Sequence, residues 1–536
     1  MPPEFVPLAE HIVDALLESD PHLASFAGDH RFDDRLPDLS AAAIADDIEM
    51  LRDASAALSQ VDIDALDAES AVDHAVLMAR VDRALFERTD IRESTWSPLA
   101  HNPGSLIHDL ASRPFAPAEE RLTSVAARLS AIPDALSTAR AVLDDIPRVH
   151  LETAVGQFAG TARLVREGLA DLLAEAPDLA PIVEPLRDRA AQELDSFVGW
   201  LRARPTGDRD PRLGRRLWEA RLWHTLDTEI PAAEIASRAA ANLARVRQEL
   251  RAAAAEFTGD PESDATVREA FDRLAQEHPT DETIVALAKV ALDEATGFVR
   301  EHDLVTLIDD PLEIVEMPEF SRGVAVAYCD PPGLLETADT PTFFTIAPPP
   351  SDWSAERVAS FYREYNSHML RNLTVHEAMP GHFLQMAHAR RYRGATRARA
   401  LGFSSPFVEG WAVYAEELMA VRGFGGPAIR MQQLKMQLRS TINAMLDQGV
   451  HADGMSEADA MALMISEGFQ EEGEAAGKWR RALLTSAQLS TYFVGYTEVS
   501  AIAKARPADV TARDWHDRML AHGSPPPRHV ATLLAR

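Results

Sequence analysis

RNLTVHEAMPGHFLQMAHA, residues 371–389, has helical apolar spacing on both sides of a Pro-Gly pair. It also contains His376, Glu377 and His382. A His-Glu pair followed by a second histidine on a helix is a common zinc-hydrolase pattern. The imidazoles bind the metal, and the glutamate accepts a proton from the water that the metal activates. Histidines four apart share a helix face, but these are six apart, about 600° of rotation and roughly 120° out of alignment. Pro380 cannot donate to the carbonyl of His376, and Gly381 tolerates unusual dihedrals. The spacing therefore predicts a helix broken or bulged between the histidines. Taken alone, two histidines beside such a turn fit equally well as helix caps that satisfy buried carbonyls.

Moving downstream, FVEGWAVYAEEL (residues 407–418) places Glu409 27 residues beyond His382. Residues 394–406, GATRARALGFSSP, hold enough Gly, Ser and Pro to end one helix and start another. An antiparallel helix–loop–helix would bring Glu409 back to the histidines as a third ligand, leaving one position for water. Glu416, seven residues on and on the same face, fits either as an alternative ligand or as the partner of one. The apolar flanks Phe407-Val408 and Trp411-Ala412 favour a buried partner for Glu409 over a solvated one.

Around this core the chain reads as mainly α. Segments 120–146 and 231–257 are rich in alanine and leucine at helical spacing, with breakers at Pro103-Gly104, Arg113-Pro114, Pro205-Thr206-Gly207 and Gly259-Asp260-Pro261. From about residue 303 the texture changes to short β-branched or aromatic runs: LVTLI (304–308), EIVEM (313–317), GVAVAYC (323–329) and TFFTIA (342–347). These predict a small meander or sheet before the metal-binding helix. The expected order is an N-terminal helical region over 1–300, a small β region over 301–350 forming part of a cleft, and a C-terminal helical catalytic region over 351–536. No fixed-period repeat supports a solenoid.

Composition narrows the class. The 536 residues carry 84 acidic and 53 basic side chains, a net −31, with 46% apolar residues. That is a globular chain whose charge disfavours phosphate backbones and anionic lipid, so neither nucleic acid nor membrane is an expected partner. One cysteine, Cys329, excludes an intramolecular disulfide and a cysteine-based zinc cluster. No secretory pattern and no apolar run of spanning length is present, and the expected location is cytoplasmic. Only four lysines occur, so almost all positive charge is arginine.

HEAMPGH followed by EGWAVYAEE resembles the bacterial domain-of-unknown-function 885 (DUF885) family, a set of predicted gluzincin-type metalloproteins. Supporting pieces are ASFAGDHRFDDRLPDLS (24–40), RPFAPAEER (113–121), AYCDPP (327–332), LDQGVHADGMS (446–456) and AQLSTYFVG (487–495). The resemblance implies a helical, zincin-like body similar to metallopeptidases with a narrow cleft. It names no substrate. By position in the resembling motif, Tyr492 is the candidate to hydrogen-bond a developing oxyanion, with a packed core aromatic as the alternative. The family commonly has lysine after this tyrosine, where this chain has Phe493. His451, before a capping pattern at Ser456, is a candidate to bind substrate or shuttle a proton, or else is structural. Arg480 and Arg528, with Arg481 and His529, are candidates for holding a substrate carboxylate. TFFTI suits β-addition by an extended substrate, although a plain sheet strand is the simpler reading. The charged GDHRFDD stretch has no evident chemistry, and no phosphate loop or Gly-x-Ser-x-Gly elbow is present.

The expectation is a zinc-dependent hydrolase of short peptides or peptide-like amides. His376, His382 and Glu409 bind Zn, Glu377 is the base, and Tyr492 and His451 assist. Two alternatives remain open: hydrolysis of a non-peptide amide or ester, and a non-catalytic helical module with a decayed site. An intact Glu377 weighs against decay.

Overall fold

Leu122, Val125, Leu129, Ile132, Leu136 and Ala139 recur at steps of three and four. In the computed structural model, which describes residues 4–317, 326–351 and 353–535, all six are buried along one stripe of the helix Ala118–Val142. The same logic builds Arg148–Glu167 and Ala180–Ala203, whose apolar stripes close a shared core that includes Phe158, Leu194 and Phe197. The fold is mainly α, with one small three-stranded sheet. Among the described residues no helix is long and apolar enough to cross a membrane.

Contacts divide the chain into two compact units. The first comprises Met1–Pro211 with two later returns, Pro332–Thr340 and Gly394–Gly402. The second comprises Arg212–Pro331, Pro341–Arg393 and Phe403–Arg536. The composition change near residue 303 thus marks a sheet inside the second unit. The first unit's main segment ends within the Gly- and Pro-bearing stretch 205–214.

In the first unit a second core joins Leu16, Leu17, Leu58, Leu77 and Val81 to Ala398 and Leu401 of the late return. The other return is tied in by the amide of Leu335, which donates to the carbonyl of Ala27 (2.7 Å). In the second unit, Ala232–Thr258 packs Val246 and Leu250 against Met431, Leu434 and Leu438 of Gly426–His451. The largest core of that unit surrounds the helices that carry His376, His382 and Glu409.

The sheet departs from a meander. Strand β1 is Leu312–Glu316, β2 is Ala327–Asp330 and β3 is Thr342–Ile346, in the order β1-β3-β2. β3 runs parallel to β1, with Leu312 opposite Thr342 and Glu316 opposite Ile346. It runs antiparallel to β2, with Ala327 opposite Ile346. Both edges of β3 are thereby paired, so TFFTI is the plain sheet strand of the simpler reading and β-addition by a substrate has no free edge there. LVTLI is not a strand either. Leu304 and Val305 are buried in the core while side chains satisfy the backbone: His516 bonds the Leu304 carbonyl, His388 the Thr306 carbonyl, and Asp517 accepts from the Thr306 amide. Residues 323–325 of the GVAVAYC run lie outside the described residues.

Candidate metal centre

The helix Ser367–Glu377 ends directly after the His-Glu pair, and a second helix, His382–Ala389, begins with the second histidine. Between them Ala378 and Gly381 leave helical geometry, and the Met379–Pro380 peptide bond is cis. The Gly381 amide donates to the Val375 carbonyl at 3.0 Å, folding the break back on the first helix. A Cβ on Gly381 would lie 1.8 Å from the carbonyl oxygen of His376, so no larger residue fits without moving the backbone. Trp411, wholly buried, donates from its indole to the Pro380 carbonyl at 2.8 Å and pins the turn. The distortion demanded by the six-residue spacing is present. The two rings lie 4.7 Å apart, nearly perpendicular.

Glu409 arrives on Ser405–Val421, whose first turn is capped by Ser404. That helix meets Ser490–Lys504 at Gly410 and Gly495, where a Cβ on Gly410 would fall 2.4 Å from the Gly495 carbonyl oxygen. This close crossing sets Tyr492 near Glu409. The Glu409 Oε2 atom lies 3.6 Å from Nε2 of His376 and 3.6 Å from Nε2 of His382. The three donor atoms all fall within 4.8 Å of one another.

The two 3.6 Å separations fit a divalent ion of the zinc type. Four donors at about 2.0–2.2 Å in a tetrahedron stand about 3.3–3.6 Å from each other. At 3.6 Å the pairs are too long for hydrogen bonds. Glu409 Oε2 is buried without a hydrogen-bond partner, as is Nδ1 of His382. Such orphaned atoms are costly unless another ligand satisfies them. Burial disfavours charge on His376, but the carboxylates of Glu409 and Glu416 outweigh it and hold the imidazole well above the usual histidine range. Burial likewise raises Glu409, and the two imidazoles override it, holding its carboxyl well below the usual range. The donor set therefore attracts positive charge to its centre, and an ion can take the place of those protons.

Glu416 partners a candidate ligand and is not one of the three converging donors. Its Oε1 accepts from Nδ1 of His376 at 2.7 Å and its Oε2 from the Asn372 amide at 2.5 Å. That fixes the His376 tautomer and leaves Nε2 to face Glu409. Asn372 was not singled out in the sequence; its place one helical turn before His376, on the same face, is the signal that could have found it. Glu377 is 7% exposed, next to the first ligand.

The remaining candidates scatter. Tyr492 accepts from Arg481 (3.3 Å) and Gln488 (3.4 Å). Burial and the nearby Glu409 charge push its phenol up. His451 is not brought into the cluster. Nδ1 accepts from the Leu213 amide (3.4 Å), and Nε2 faces the carbonyls of Ala482 and Thr485 (2.8 and 2.9 Å), so both nitrogens are engaged by backbone. Arg480 is exposed on the helix Glu472–Leu484, whereas Arg481 beside it turns inward. Arg528 is committed to Asp227 at 2.7 Å, with His529 3.7 Å from the same carboxylate.

Comparison with known proteins agrees with the fold and adds no activity. The chain matches along its whole length a solved protein described as "a putative lipoprotein of unknown function from Shewanella oneidensis", at 26% identity, a TM-score of 0.80 and 100% coverage of both chains. A "putative lipoprotein from Colwellia psychrerythraea" is 16% identical, with a TM-score of 0.80 over 99% of this chain and 98% of the other, a likeness of fold. No curated protein matches. The family model described as "Bacterial protein of unknown function (DUF885)" spans residues 21–534, and the chain belongs to that family.

Proposed function

We propose that the protein is a zinc-dependent hydrolase that cleaves amide bonds in short peptides or peptide-like molecules. The observation that carries this reading is the set of three donor atoms, with Glu409 Oε2 3.6 Å from Nε2 of each histidine and all three within 4.8 Å, next to Glu377, whose charge acts on His376. His376, His382 and Glu409 would hold the ion, with Glu416 orienting the first of them. When bound, zinc supplies Lewis acidity that brings the pKa of water toward neutrality and polarises a carbonyl. Glu377 takes the proton of the attacking water and passes it to the leaving nitrogen, so that water is added across the C–N bond and an acid and an amine leave. The Tyr492 hydroxyl donates to the developing oxyanion.

Elemental analysis of tag-free protein and of His382→Ala, with turnover of a peptide library by Glu377→Gln, tests this. The expected results are about one zinc per chain, lost in His382→Ala, and a Glu377→Gln variant that keeps zinc while turnover falls about 10²–10⁴-fold. Zinc held equally without His382, or full turnover without Glu377, would overturn it.

A further inference from the structure

Behind Tyr492 lies a group of cations that the metal centre does not use. Lys435, Arg439, Lys478 and Arg481 approach one another beside two carboxylates, Glu364 and Glu474. The carboxylates are taken: Glu364 accepts from Lys435 at 2.8 Å and stands 4.0 Å from Arg439, which also pairs with Glu474. Among the described residues neither Lys478 nor Arg481 pairs with a carboxylate at contact distance, and Glu364 acts on Lys478 through its charge alone. Lys478 is only 6% exposed, and burial together with the charges of Arg439 and Arg481 pushes its ammonium well below the usual lysine range. An ammonium buried beside other cations is costly, which favours the neutral amine until an anion arrives to pair with it. Among the described residues the inward guanidinium of Arg481 has the neutral side-chain partners Gln488 and Tyr492, at 2.8 and 3.3 Å.

Tyr492 links this cationic group to the metal centre. It hydrogen-bonds Arg481, and it is near enough to Glu409 for that charge to act on the phenol. A substrate whose carbonyl reaches the tyrosine therefore directs its next group toward Lys478 and Arg481. We propose that Lys478 and Arg481 anchor a carboxylate of the substrate, so that the site takes peptides or amides with a free carboxylate adjacent to the scissile bond. This rests on the hydrolase reading for its substrate class, but the anchor itself is testable without turnover. A carboxylate is favoured because the fork of an arginine matches its two oxygens and the ammonium adds a third donor. The result is cleavage next to a chain end instead of within long chains.

The test has two arms. In the first, calorimetry on metal-depleted full-length protein compares N-acetyl-phenylalanine, its amide and inorganic phosphate; metal depletion prevents the probe from coordinating zinc. The acid should bind, the amide should bind at least about tenfold more weakly, one decade of affinity being 1.4 kcal/mol, and Lys478→Met or Arg481→Gln should erase the difference. Because Lys478→Met removes a buried amine that makes no ion pair, it should fold with a melting temperature equal to or above wild type, which keeps loss of binding distinct from loss of fold. In the second arm, zinc-loaded enzyme is given tripeptides with free or amidated C-termini, and kcat/KM should favour the free acids until either cation is replaced. Equal binding of acid and amide, or phosphate binding with no binding of the acid, overturns the anchor. Acid binding through both cations in a zinc-loaded protein that hydrolyses nothing overturns the hydrolase and leaves the anchor standing. Equal hydrolysis of acid and amide does the reverse.

Discussion

Two histidines in this chain each face two carboxylates, and the geometry separates them completely. In the first unit His30 sits between Asp33 and Glu336, with Nδ1 and Nε2 each 2.8 Å from a carboxylate oxygen. Phe115 stacks on the ring at 3.6 Å, and the buried Arg128 stands 3.6 Å from the other oxygen of Asp33. Both ring nitrogens meet acceptors, so both carry protons, and the cluster is closed by its own hydrogen bonds. In the second unit His376 makes one such bond, to Glu416. Its other nitrogen stays 3.6 Å from Glu409, which holds His382 at the same distance. Closed contacts at 2.8 Å describe an ion pair that stabilises a fold. Separations of 3.6 Å around an unbonded oxygen are those of a candidate ligand set. Residue types alone would have scored the two clusters alike.

The largest expected effect breaks the comparison at its centre. Glu409→Ala should lower zinc affinity by about 10²-fold or more, beyond the range for residues that merely support a ligand. His30→Ala should leave zinc content unchanged. Competition against a chromophoric chelator reads both. Undiminished zinc binding in Glu409→Ala would mean that the long edges do not mark a ligand.

How much of this was legible follows from how local each cause is. The broken helix was readable because Pro380 and Gly381 act on their own backbone, and Glu409 because it follows in the next long helix; that the connection between them, Gly394–Gly402, belongs to the first unit and carries the short helix Ala398–Leu401 was not. The sheet order was not. LVTLI has strand composition, yet its carbonyls and amides are satisfied by His516, His388 and Asp517 from distant helices. The role of His30 depends on Glu336, 306 residues away, and no pattern near GDHRFDD points to it. Arg480 and Arg481 are indistinguishable as residue types, and only the packing of their helix decides which one turns inward.

A middle-sized effect sharpens the difference between holding an ion and holding a ligand. Glu416 touches the centre only through Nδ1 of His376. Glu416→Ala frees that ring to rotate and leaves the Asn372 amide without its acceptor. Zinc affinity should fall about 10–100-fold, less than for Glu409→Ala, and Glu416→Gln should recover part of it through its amide oxygen. A loss equal to that of Glu409→Ala would make Glu416 a ligand.

The smallest effect concerns the closed cluster and is read in stability alone. Burial lowers the pKa of His30, but the hydrogen bonds to Asp33 and Glu336 overcome it and raise the pKa from 6.5 to about 9. The folded state therefore binds the proton more tightly than the unfolded chain, and the stabilisation is fully present below about pH 6.5 and is lost as pH climbs through about 9. The ring is 31% exposed, so solvent screening reduces the benefit, and about 1–2 kcal/mol is expected. Denaturant unfolding of wild type and His30→Gln should show that gap below pH 6.5, narrowing toward zero above pH 9. Zinc content of the two proteins should match at every pH. A gap that persisted unchanged above pH 9 would mean that Phe115 stacking and packing, and not the imidazolium, hold this corner of the first unit together.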